Sequence, residues 1–158
     1  MSVALIAAIS KNNVIGSDNK LVWRNKEDAN HFRDLTTGNI VIMGRKTFES
    51  IFDYLKKPLP NRLNVVITRQ KDYQAPDGVE VFQNIQEALA AHKNEDIYIA
   101  GGGEIYNQTI NLADTLYITH IDQDLEGDTK FPVIDPKQWR QSTNEQRDGF
   151  SFATYKRI

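Results

Sequence analysis

Short, unbroken apolar runs recur along this chain, separated by segments with helical character. Val3-Ala4-Leu5-Ile6-Ala7-Ala8-Ile9 is the longest, and Ile40-Val41-Ile42-Met43 and Ile97-Tyr98-Ile99-Ala100 repeat the theme. A strand with one face in water alternates apolar and polar residues; one that is apolar at every position is covered on both faces. Asn64 to Thr68, Val79 to Phe82 and Thr115 to Ile121 complete the set of candidate strands. Between them, Glu27 to Thr36 reads as a helix closed by Gly38-Asn39, and a second helix is expected near Thr47 to Ile51. Asn84 caps a third through about His92, with Glu87 completing a capping box, and a fourth follows Gly101-Gly102-Gly103 through about Leu112. Ser10 to Asn25 is predicted to be a long polar loop. After Ile121 the pattern changes to two alternating strands, Gln138 to Arg147 and Phe150 to Lys156, with a hairpin turn at Asp148-Gly149. The order predicts an α/β fold: a mostly parallel central sheet, helices on both faces, and an antiparallel C-terminal hairpin at one edge. In such sheets ligands bind at the carboxyl ends of the strands.

The 158 residues suit one domain spanning 1–158, large enough to bury a real core. Nineteen basic and 21 acidic residues leave a net charge of -2, which argues against a dedicated nucleic-acid or membrane-surface protein. The absence of cysteine removes disulfides, zinc ribbons and thiol catalysis together. His31, His92 and His120 show no metal-ligand spacing, so they read as structural or solvated and no metal is expected. The run from Val3 to Ile9 has no basic region before it and is far too short to span a bilayer. A cytoplasmic protein is expected. No long apolar surface stripe is left over, so a monomer is expected too.

Three strand ends carry groups that suit phosphate. Gly101-Gly102-Gly103 would let a ligand approach the backbone closely at a helix start, although a plain tight turn explains it as well and it is not a G-x-G-x-x-G fingerprint. Gly44-Arg45-Lys46-Thr47 puts two cations at a helix N-terminus, where they oppose the helix dipole. A bound polyphosphate would resolve that conflict; the alternative is two solvated basic residues. Arg69 follows a strand ending at Thr68. Together they suggest a dinucleotide with an additional phosphate, hence NADPH over NADH. Asp28 is the candidate acid. With Asn25 as N-cap it falls at the third helical position, where a carboxylate ordinarily closes a capping box. Yet Asp28, Phe32 and Leu35 share the inward helix face, and an acid there needs a cationic or donor-rich partner. An amidine-bearing heterocycle would match it in bidentate fashion, and Thr119, on the same strand face as Tyr117 and Ile121, could join the network.

With these residues in hand, the chain resembles bacterial dihydrofolate reductases over essentially its whole length. The motifs are Val14-Ile15-Gly16, Leu21-Val22-Trp23, Asp28 with Phe32, and the run from Ile42 through Gly44-Arg45-Lys46-Thr47 to Ile51. They continue with Pro58-Leu59-Pro60-Asn61-Arg62, Gly101-Gly102-Gly103 before Ile105-Tyr106, Thr119-His120-Ile121, and Glu126 to Pro132. The resemblance implies hydride transfer from NADPH to C6 of 7,8-dihydrofolate with protonation of N5, giving the tetrahydrofolate of one-carbon metabolism. It implies a catalytic set of Asp28, Trp23, Leu21 and Thr119, in which Asp28 holds the 2-amino group and N3 of the pterin. Ile6, Ala8, Ala29, Phe32 and Ile51 would line the substrate, and Arg62 would pair with the α-carboxylate of its glutamate tail. Arg45, Thr47 and Arg69 would meet cofactor phosphates, with Arg69 near the 2′-phosphate. Gly102 and Gly103 would lie against the nicotinamide and diphosphate, after a Gly101-Gly102 cis peptide. Ala8, Ile15, Gly16, Gly44, Lys46 and Thr68 would contribute to the rest of the cofactor site, with Gly101, Glu104, Ile105 and Tyr106. The loop from Ile15 to Trp23 would form a lid that Asp128 latches. Val22, Asn25-Lys26, Ala29 and a longer Phe52 to Lys57 segment depart from the family pattern around the substrate entrance, so weaker trimethoprim binding than in ordinary bacterial members is expected. Two other readings are a riboflavin-pathway reductase and a non-catalytic nucleotide-binding module; Asp28 together with Arg62 favours a pterin with a glutamate tail.

Overall fold

The computed structural model describes residues 2–16 and 23–158. In chain order the elements are β1 (Ser2–Ile9), β2 (Val14–Gly16), α1 (Lys26–Thr36), β3 (Ile40–Gly44), α2 (Arg45–Leu55), β4 (Leu63–Ile67) and β5 (Glu80–Phe82). Then come α3 (Ile85–Ala91), β6 (Asp96–Ile99), α4 (Gly103–Thr109), β7 (Thr115–Ile121), β8 (Thr129–Lys130), β9 (Trp139–Gln146) and β10 (Phe150–Arg157). Eight strands form one sheet in the order β5-β4-β3-β6-β1-β7-β10-β9. Neighbours from β5 to β7 run parallel, and β10 runs antiparallel to both β7 and β9.

The unbroken apolar strands are explained by two cores on opposite faces. Val3, Leu5, Ile40, Ile42, Val65, Ile97 and Ile99 point to one side, where Ile85 and Ala88 of α3 and Ile105 and Tyr106 of α4 cover them. Val41, Met43 and Val66 point to the other, beneath Phe48, Ile51, Phe52 and Leu55 of α2 and Phe32 of α1. Each fully buried Leu or Ile contributes roughly 1.5–3 kcal/mol relative to exposure, so losing either face would unfold the sheet. The outermost strand, β9, is polar and exposed beyond Trp139, which suits an edge that must not pair with another chain.

Three elements differ from the sequence reading. The second helix begins at Arg45 and runs to Leu55, because Phe52 and Leu55 continue the apolar stripe that Phe48 and Ile51 begin. The Phe52 to Lys57 segment thus holds the last turn of this helix, closed by Lys56 in the left-handed conformation (φ 63°). The expected loop after Ser10 contains β2, which pairs with β8 in a separate two-stranded ribbon. The fourth helix is also shorter than expected, ending at Thr109 and passing into a 3₁₀ turn over Ile110–Leu112.

Candidate active site

The parallel strands all end on one edge of the sheet, and the candidate residues lie along it. Asp28 sits in the first turn of α1. Its backbone N–H donates to the Asn25 side chain at 3.0 Å, so Asn25 is the cap. The Asp28 carboxylate does not complete the box; its Oδ1 accepts the Thr119 hydroxyl at 2.5 Å. Thr119 stands opposite Ala8 in the β1–β7 register, and Ile6 opposite Tyr117, which places Ile6, Ala8 and Thr119 on one face below α1. Burial raises the Asp28 carboxyl above the usual range, with the Thr119 hydrogen bond and His31 opposing it more weakly. Oδ2 accepts no hydrogen bond from the described residues. His31 stacks on Phe152 with ring centroids 4.0 Å apart, and Phe152 is the β10 partner of Thr119. Ala29 is exposed on α1, while Phe32 and Ile51 are half-buried.

Arg62 lies beyond Phe32, its guanidinium 5.8 Å from that ring. Nε donates to the Pro60 carbonyl at 2.9 Å and Nη1 to the Thr36 hydroxyl at 3.1 Å, which leaves Nη2 to meet a ligand. A cleft of about 470 Å³ opens here, with Arg33, Thr37 and Asn61 among its walls.

The ends of β4, β3 and β6 are neighbours. The Gly44 N–H donates to the Gly101 carbonyl at 2.8 Å, and Gly101-Gly102 is cis, as the resemblance implied. Gly101 has φ 117°, and a Cβ there would press on the Tyr106 ring at 3.2 Å; on Gly102 it would stand 3.2 Å from the Thr47 hydroxyl. Helix α2 has no side-chain cap at Gly44, so its first N–H groups remain available to an anion. Arg45 pairs with Glu49 at 2.8 Å, part-buried, and Arg69 pairs with Glu104 at 2.9 Å in solvent. Lys46 is exposed and Thr68 is buried, its hydroxyl accepting from the Gln70 N–H at 3.1 Å. Tyr106 is buried, donates to the Ile6 carbonyl at 2.6 Å and ties α4 to β1; burial pushes its phenol far up. The ribbon closes this corner: a Cβ on Gly103 would come within 2.7 Å of Thr129 Cγ2 and would touch Ile15. Trp23 meets Phe150 edge-on at 5.5 Å. Asp128 is exposed at the start of β8 and accepts the Thr129 hydroxyl at 2.9 Å. Leu21 and Val22 lie outside the described residues.

Residues 2–157 match the family model for dihydrofolate reductase. The chain belongs to the dihydrofolate reductase family. Type 3 dihydrofolate reductase of Salmonella typhimurium is 43% identical over 97% of this chain and 94% of its own length. Dihydrofolate reductase HdrB of Haloferax volcanii is 41% identical over 97% of this chain and 82% of its own. A solved structure, described as dihydrofolate reductase from Enterococcus faecalis complexed with NADP(H) and RAB-propyl, superposes with a TM-score of 0.88 at 34% identity, covering 99% and 96% of the two chains. As a dihydrofolate reductase family member the chain is an NADPH-dependent oxidoreductase, and the riboflavin-pathway and non-catalytic readings fall.

Beside the candidate residues, two others hold positions that the sequence reading did not assign. Glu49 is the partner of Arg45, a pairing that the (i, i+4) spacing could have signalled. Phe152 closes the far side of His31, and only the β7–β10 register reveals it. The other two histidines serve the fold. His92 is clamped by Glu80 at 2.8 Å and Glu95 at 3.1 Å; burial lowers its pKa, but the two carboxylates outweigh that and raise it. His120 bonds the Tyr155 hydroxyl at 2.8 Å.

Proposed function

We propose that Asp28 and Thr119 anchor the pterin of dihydrofolate in this enzyme and that the glycine corner holds NADPH. The observation that carries the reading is the Asp28–Thr119 pair. One carboxylate oxygen is already held by Thr119, while the other, on a half-buried residue, accepts no hydrogen bond from the described residues. A carboxylate so placed matches the 2-amino group and N3 of a pterin by a bidentate, charge-assisted contact. Ile6, Ala8, Phe32 and Ile51 supply the apolar walls, and Arg62 takes the α-carboxylate of the glutamate tail.

The residues at the ends of β4, β3 and β6 suit a phosphorylated dinucleotide. Glycine at 102 keeps the backbone clear of the Thr47 hydroxyl, and the uncapped start of α2 favours an anion. Arg45, Lys46 and Thr47 would hold the diphosphate and Arg69 the 2′-phosphate, each arginine exchanging a carboxylate partner for a phosphate. NADPH supplies the hydride when bound. Asp28 orients the ring and raises the basicity of N5, and water delivers the proton. The segment from Ile15 to Trp23 acts as the lid, latched through Asp128, and excludes bulk water. The chain works as a single domain and a monomer in the cytoplasm. In support, Tyr54, Leu112, Val133 and Ile158, the large exposed apolar side chains among the described residues, come from separate segments. No helix among those residues is long and apolar enough to cross a membrane.

The test is NADPH oxidation with dihydrofolate in wild type and Asp28→Asn. The variant should lose roughly a hundredfold or more of its turnover at neutral pH and regain part of it in acid, where solvent protonates the substrate. Turnover indifferent to the substitution would overturn this role for Asp28.

A further inference from the structure

A second hollow, an open groove of about 410 Å³, flanks α2 and the segment around residue 75. Its floor is Phe48, only 2% exposed, with Phe52 tilted against it at a centroid distance of 6.0 Å. Tyr73 and Pro76 form the opposite wall. Glu49 and Asp53, one helical turn apart on α2, also line it. None of these six residues belongs to the substrate or cofactor reading.

Charge decides what would fit. The Glu49 side chain is 44% exposed; Oε1 holds Arg45 at 2.8 Å, and Oε2 takes only a long bond, 3.3 Å, from the Tyr73 hydroxyl. Asp53 has neither a hydrogen bond nor an ion pair among the described residues. Aromatic faces with carboxylates beside them attract an organic cation and repel an anion. A purely apolar ligand would desolvate the carboxylates with no return.

We propose that this cavity binds a small aromatic ammonium ion, and that its occupancy tightens cofactor binding through Glu49 and Arg45. The coupling rests on the reading that Arg45 meets a cofactor phosphate. Glu49 faces the cavity with one oxygen and Arg45 with the other. A cation in the cavity takes up part of the Glu49 charge, so Arg45 gives up less in turning to a phosphate. The phosphate also feels a weaker negative field. The expected gain is about twofold in NADPH affinity, the size of an exposed (i, i+4) ion pair, and NADPH must tighten the cavity by the same factor.

The probe is 2-phenylethylammonium, with 2-phenylethanol as its uncharged counterpart, titrated into the full chain by amide NMR and into NADPH binding by fluorescence. Shifts should centre on Tyr73, Ala75 and Asp53, with millimolar affinity for the ammonium and much weaker binding of the alcohol. Asp53→Asn should weaken the probe severalfold and leave turnover unchanged. Glu49→Gln should abolish the gain in NADPH affinity. Shifts that are absent or centred elsewhere, or equal binding of the two probes, would overturn the site. Binding in the cavity with NADPH affinity unmoved would overturn the coupling. Should Arg45→Ala leave NADPH binding intact, the reading of Arg45 fails, and the probe shifts still judge the cavity alone.

Discussion

The burial of Asp28 carries a cost to the protein alone. Burial raises its carboxyl pKa above the unfolded value, so folding favours the protonated form. That contribution is present in full below the unfolded pKa and is lost as pH rises through the folded one. At neutral pH the fold therefore carries a charge that Thr119 and His31 compensate only in part. Asp28→Asn should stabilise the ligand-free protein at pH 7 by about 1 kcal/mol, the low end of the cost of an under-compensated buried polar group. Thermal melts over a pH series should show the advantage shrinking toward acid, as the wild-type carboxyl takes up its proton. A variant no more stable than wild type at pH 7 would place the cost elsewhere. The same substitution then costs turnover and adds stability, the opposition expected where a site is kept ready for its ligand.

At the scale of elements, the β2–β8 ribbon is the feature with most reach, because it backs Gly103 and holds Ile15, where the expected lid begins. Gly127 makes it possible: a Cβ there would run into the Gly16 carbonyl and the Val14 side chain. Gly127→Ala should cost about 1–3 kcal/mol of stability by overpacking and raise the KM for NADPH more than that for dihydrofolate. Equal changes in the two would show that the ribbon does not bear on the cofactor. This ribbon was not legible in the sequence, since strands of three and two residues have no period to read. The main sheet was legible, because apolar runs such as Ile40 to Met43 have no other stable place than between two layers. The extra turn of α2 could have been read from Phe52 and Leu55. The site was half legible. Asn25 and Asp28 have the spacing of a capping box, and sequence alone left cap and ligand anchor both open. The answer is divided between atoms, the backbone N–H going to Asn25 and the carboxylate to Thr119. Phe152 had no local signal at all, since its place depends on which strand pairs with β7.

For the molecule as a whole, what matters is how far apart the candidate site's residues lie along the chain. Ile6 and Ala8 come from β1, Asp28 and Phe32 from α1, Gly44 to Thr47 from the β3–α2 junction, the three glycines from the β6–α4 junction and Thr119 from β7. The Thr119–Asp28 hydrogen bond alone closes 91 residues of chain. Contacts of that separation are the slow ones in folding, because the entropy of closure is lost before they form. Until β7 docks beside β1, the Asp28 carboxylate has neither its partner nor its burial. In stopped-flow refolding with a pterin-site ligand whose binding quenches fluorescence, the quench should therefore trail the far-ultraviolet dichroism of the sheet and helices. Coincident traces would mean that β7 docks with the first structure to appear. Affinity at this groove is thus a late signal of folding, and a variant that stalls the docking of β7 will register as a weak binder although every side chain of the site is unchanged.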